Sequence, residues 1–108
     1  MGYREERLAR NETLFREVNE RIEDVSRGHD VDDNLEFLCE CGRRECLEAL
    51  GLSRAAYEAV RAHGDRFLVA LGHEEPDVER VVEVYARYQI VEKTGKAGDI
   101  AEAADPRS

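Results

Sequence analysis

Apolar residues recur every seven positions at the start of the chain: Leu8, Phe15 and Ile22, with Asn11, Val18 and Val25 between them at an offset of three. That spacing predicts one long amphipathic helix over roughly residues 4–26. As a heptad it is an a/d seam with a polar position at Asn11, and Ala9 and Leu14 widen it toward an ordinary amphipathic face. Glu12 with Arg16, and Glu17 with Arg21, stand at the i,i+4 spacing that supports an exposed helical surface. At 1.5 Å per residue the helix is about 34 Å long, which is long for a small domain. Gly28 and the acidic residues Asp30, Asp32 and Asp33 read as its stop and a solvated linker. Two readings of the stripe stay open. It packs on the domain's own sheet, or part of it projects and pairs with a second copy or another protein, with Asn11 setting the register.

From Leu35 the pattern shortens. Residues 35–41 and 46–52 are short apolar and alternating runs around an Arg-rich turn, and together they read as a hairpin. Ser53 caps a helix with Ala56, Tyr57, Val60 and His63 on one face, and Gly64 stops it. Residues 66–71 read as a strand ending at Gly72-His73. The stretch over 74–95 fits either a helix, with Pro76 in its first turn and Val78, Val81, Val82 and Tyr85 on one face, or two strands joined near Arg87. Its density of Val and Tyr favours the strands. Residues 94–108 lack large apolar side chains and read as a mobile tail. The expected fold is α+β: a long N-terminal helix (1–27), an acidic linker (28–34), and a core (35–93) built on a small, mostly antiparallel sheet with one further helix.

Composition narrows the function. A length of 108 residues fits one domain, and Leu, Ile, Val and Phe supply only 25 of them, so the core is modest and a metal staple would help it. Sixteen basic against 25 acidic residues leave a net charge of −9, which argues against nucleic acid and against anionic membrane surfaces as partners. No apolar run approaches the ~20 residues needed to span a bilayer, and the first ten residues lack an apolar signal core, so a cytoplasmic protein is expected. No phosphate-cradling glycine loop, H-E-x-x-H or G-x-S-x-G motif is present. The expectation is a non-enzymatic protein.

The chemistry lies in the cysteines. All three fall within eight residues, Cys39-Glu40-Cys41-Gly42-Arg43-Arg44-Glu45-Cys46. An odd number of clustered thiols in a reducing compartment is a poor disulfide framework and a good start for tetrahedral Zn²⁺. Cys39 and Cys41 would share one side of an extended strand, Gly42 would permit the reversal, and Cys46 would return from the partner strand. Arg43 and Arg44 would lower the thiol pKa values. The fourth ligand is sought first at His73, after a strand and beside Gly72, then at His63 and His29; Glu40, Glu45 or water are further options. Unmetallated, part-buried thiols, a redox pair and a cysteine nucleophile served by a histidine remain alternatives.

The runs FLCECGRREC, SRAAYEAVR, RFLVALGHE and ERVVEVYARYQIVEKTG together resemble a group of small uncharacterised bacterial proteins that share a Cys-Glu-Cys…Cys core followed by Gly-His-Glu. The resemblance spans roughly residues 7–98 and implies Cys39, Cys41, Cys46 and His73 as the metal set. In this chain Leu71 stands where a proline usually precedes the Gly-His. Functionally, the expectation is a small zinc-binding regulatory or adaptor protein that works through a protein partner, or through self-association by its N-terminal helix. A thiol-based redox or metal-responsive switch is the alternative.

Overall fold

A computed structural model describes residues 3–26, 35–43, 45–105 and 107. The linker over 28–34 and its His29 lie outside the described residues. The elements run α1 (Tyr3–Ser26), β1 (Leu35–Leu38), β2 (Ala49–Leu52), α2 (Arg54–Arg61), β3 (Arg66–Ala70), β4 (Glu79–Val84), β5 (Tyr88–Lys93) and α3 (Gly95–Ala103). The class is α+β. The strands form two antiparallel sheets rather than one: the hairpin β1–β2, and a three-stranded sheet in the order β3-β5-β4.

Most local signals behave as their chemistry requires. Ser53 accepts a hydrogen bond from the Ala56 amide at 3.1 Å and starts α2. The stretch before Lys93 folds as two strands, closed at the tip by the Tyr85 amide on the Tyr88 carbonyl at 2.8 Å. Val and Tyr side chains thus take the pleated alternative, with a bulge between Val81 and Glu83. The core lies between the sheets and α2. Phe37 stacks on Tyr57 with ring centroids 4.4 Å apart, and Leu50, Leu52, Val60, Phe67, Leu68, Val69, Ile90 and Val91 complete it.

Beyond Leu38, residues of the β1–β2 connection and of α1 cover the edge of β3. The Leu68 amide donates to the Glu40 carboxylate at 3.0 Å, and the Leu68 carbonyl accepts from the Glu40 amide at 2.7 Å. The Ala70 amide donates to the Cys39 Sγ at 3.1 Å, and the Arg66 carbonyl accepts from Arg16 at 2.9 Å. No position remains there for β1 to extend the sheet.

Two expectations need correction. The face that α1 buries is polar: Glu12, Arg16, Asn19, Glu23 and Ser26, at helical spacing, are all at most 7% exposed. The seam expected to bury instead lies on the flank. Phe15, Val18 and Ile22 are half-buried, Leu14 is 54% and Val25 66% exposed, and the side chain of Leu8 lies outside the described residues. Burial of the charged face is tolerated because its groups are paired. Arg16 donates to the carbonyls of Gly64 at 2.7 Å and Arg66 at 2.9 Å, and its guanidinium lies 3.8 Å above the Phe67 ring centre. Glu12 and Glu79 both bind Lys93, the latter at 2.6 Å. Glu12 and Arg16 are therefore buried on separate partners, not an exposed i,i+4 pair. Second, residues 94–108 carry a further helix. It docks through small residues rather than large apolar ones: a Cβ added at Gly98 would stand 3.0 Å from the Lys93 carbonyl oxygen, and Ala101 is buried.

Candidate metal centre

Two turns build the site. After β1 the chain leaves the sheet at Cys39, whose amide donates to the Glu48 carbonyl at 3.0 Å, and a tight turn closes with the Cys46 amide on the Arg43 carbonyl at 3.1 Å. Gly42 takes φ 78° in that loop, a left-handed conformation that favours glycine. After β3 a second turn places the His73 amide on the Ala70 carbonyl at 3.0 Å, with Gly72 at φ 81°. The cysteines thus occupy the connection between β1 and β2, not the strands expected to carry them.

Among the described residues, one group of potential ligands converges. One ligand atom each from Cys39, Cys41, Cys46 and His73 lie within 4.8 Å of one another. His73 Nδ1 stands 3.6 Å from Cys39 Sγ and 3.5 Å from Cys46 Sγ. A tetrahedral ion with metal–sulfur bonds of about 2.3 Å and a metal–nitrogen bond of about 2.0–2.1 Å has S···N edges of about 3.6 Å. His73 and the sulfurs of Cys39 and Cys46 stand at two of those edges. Cys39 and Cys41 are buried, whereas Cys46 and His73 are half-buried and form the solvent side.

The thiols are electrostatically coupled. Cys41 is held down to about 5, first by the hydrogen bond from Cys39 and then by the Arg43 amide, against the opposing effect of burial. Cys39 is pushed up, first by that same bond and then by burial; Cys46 is pushed up, first by burial. By themselves the thiols thus oppose one another's ionisation. A divalent cation would let all three ionise. The expected help from arginine charge takes another form. Arg43 turns its guanidinium to Glu75 at 3.4 Å and assists Cys41 through its backbone, while Arg44 lies outside the described residues.

Of the other ligand candidates, His63 is exposed at the end of α2 and Glu45 is exposed; neither joins the group. Glu40 points the opposite way. Its carboxylate, 0% exposed, accepts from Asn19 Nδ2 at 2.8 Å, Tyr57 Oη at 2.7 Å and the Leu68 amide at 3.0 Å. Burial raises its carboxyl above the usual range, and those hydrogen bonds with the charge of Arg16 pull it back. Asn19 also brackets Leu38, donating to its carbonyl and accepting from its amide, both at 2.8 Å. Asn11 donates to the Gly42 carbonyl at 2.9 Å. The two asparagines of α1 therefore position the cysteine loop, a role that spacing alone did not reveal. An acidic residue between two cysteines was the available clue.

The chain matches no family model, no curated protein and no solved structure.

Proposed function

We propose that the protein is a zinc-stapled interaction module without catalytic chemistry of its own. The single observation that carries the metal reading is the 3.5 and 3.6 Å spacing of His73 Nδ1 from two thiol sulfurs, with the third cysteine in the same cluster. Three thiolates and an imidazole are the soft, borderline donor set that suits Zn²⁺ and disfavours Mg²⁺ or Ca²⁺. The ion would join the β1–β2 connection to the turn after β3. A closed set of four protein donors is the structural type of zinc site, which supports a staple over a reaction centre.

The interaction reading is supported by the outward stripe of α1, where Leu14 and Val25 are exposed beside half-buried Phe15, Val18 and Ile22. A protein with a basic rim around an apolar strip suits a chain of net charge −9. The first experiment is elemental analysis of protein purified without added metal or chelator. About one zinc per chain, lost in Cys46→Ser and His73→Ala, is the expected result. Metal-free protein with three titratable thiols would overturn the staple.

A second reading has its own observation: Cys46 and His73 form the solvent side of an otherwise buried site. Peroxide can oxidise a ligand pair containing Cys46 to a disulfide, the two thiolates giving up two electrons and the peroxide becoming two waters once two protons are taken up. Zinc would then be released. Release at about one equivalent of peroxide supports this switch, and retention at large excess removes it.

A further inference from the structure

Arg16 and Arg61 are 1% and 3% exposed, and between them lies the carboxylate of Asp105. Arg61 Nη2 donates to Asp105 Oδ1, and Arg16 Nη1 lies 4.0 Å from that same oxygen. The approach is close because residue 64 is glycine: a Cβ there would stand 2.8 Å from Asp105 Oδ2. Two positions later Arg107 reaches back over the cleft. It donates to Glu20 at 2.8 and 3.0 Å and, through both terminal nitrogens, to Glu58 at 2.9 Å each. The segment after α3 thus places an acid in a two-arginine slot and a base on a two-glutamate ledge, with one residue between.

Both arginines of the slot keep a buried donor that is unmet. Among the described residues, Arg61 Nη1 and Arg16 Nε are buried with no hydrogen-bond partner. Unmet buried donors are costly, and one oxygen of Asp105 faces both arginines. A carboxylate free of the geometry of its own chain can turn both oxygens to the guanidiniums.

We propose that the cleft between α1 and α2 is a recognition site for a peptide bearing Asp-x-Arg, which the chain's own Asp105 and Arg107 fill until a partner's segment displaces them. Charge complementarity at both ends selects the sequence and its direction. The tethered copy competes at an effective concentration on the order of millimolar, so the resting protein binds such peptides weakly. None of these residues belongs to the Cys/His corner, so the proposal stands or falls apart from the metal reading.

The test is fluorescence anisotropy with a labelled peptide of the sequence AEAADPRS, on the full chain carrying Asp105→Ala and Arg107→Ala. The double variant should bind at least about tenfold more tightly than wild type. Replacing Asp by Asn in the peptide, or adding Glu58→Ala to the protein, should each weaken binding about tenfold. Equal affinity for wild type and double variant, or indifference to the peptide's Asp, would overturn the proposal. Should the double variant not fold, saturating unlabelled peptide on ¹⁵N-labelled wild type decides the matter. Displacement of the tail would shift the amide resonances of Gly64 and Arg107, and unchanged resonances would sink the proposal.

Discussion

The Cys/His corner and the inward face of α1 both bury polar chemistry, and they do so in opposite ways. At the corner, four donors face one point and a third party, the proposed ion, would supply the attraction. Along α1 the main buried polar groups are answered from within the chain: Glu12 by Lys93, Asn19 by Leu38 and Glu40, and Arg16, its Nε aside, by two carbonyls and an aromatic face. The first arrangement makes stability conditional on a ligand. The second makes it conditional on all partners being present at once, because a buried ion pair contributes little net but leaves a large cost when one member is removed. The comparison therefore predicts two different failures.

The largest effect should come from the corner. Cys39→Ser or His73→Ala should lose metal and lose more than about 5 kcal/mol of stability, since the binding energy of a structural zinc site is folding energy. A strong chelator should do the same to wild type. Melting followed by circular dichroism, with metal content measured alongside, checks this; equal melting of variant and wild type would erase the contrast.

Next is Lys93→Met. It strands Glu12 and Glu79 together, both buried, and should cost about 3–5 kcal/mol at pH 8 without changing metal content. The loss should shrink on acidification, as the stranded Glu12 carboxyl takes up a proton. A loss of zinc in this variant would show that the two regions are not independent.

A smaller effect concerns pH. Burial pushes the Glu12 carboxyl from 4.5 up to about 7, against the pull of Lys93. Between those values the folded chain holds a proton that the unfolded chain has released. Stability from this group is thus present below about 4.5 and is lost as pH rises through about 7, by up to about 3 kcal/mol. Glu12→Gln should flatten that decline in urea titrations run from pH 5 to 8. An unchanged slope would mean that Glu12 is ionised throughout.

The smallest effect should be on the outer face of α1. Leu14→Glu and Val25→Glu should change stability by less than about 0.5 kcal/mol, because both side chains are exposed. They should nevertheless weaken any association through the helix. Sedimentation of both variants against wild type, alone and with a captured partner, would show whether the stripe serves one.

The corner was legible because its information is local. Three cysteines in eight residues, two glycines at turns and one histidine after a strand specify the chemistry whatever the rest of the chain does. Ser53 and the strand pair before Lys93 were legible for similar reasons, since capping and β-branching act within a few residues. The orientation of α1 was not. Its apolar seam and its polar row run side by side at the same period, and only the partners at Lys93, Leu38 and Gly64 decide which row turns inward. Glu40 was misread for the same reason: a carboxylate between two cysteines resembles a ligand until Asn19 and Tyr57 claim it. Helix α3 escaped notice because a contact made by Gly98 and Ala101 leaves no hydrophobic trace.

The hydrogen bonds that tie Leu68 and Ala70 to Glu40 and Cys39 carry a consequence for solubility. Strand β3 is an outer strand, and its residues Phe67, Leu68, Val69 and Ala70 are all buried. An apolar outer strand with unpaired backbone groups is a template for another chain, and here the seal over it is the cysteine loop itself. Loosening that loop, by chelation or oxidation, would uncover the template before the core has melted. Loss of the proposed ion should therefore be read by light scattering as well as by melting, with turbidity the earlier sign.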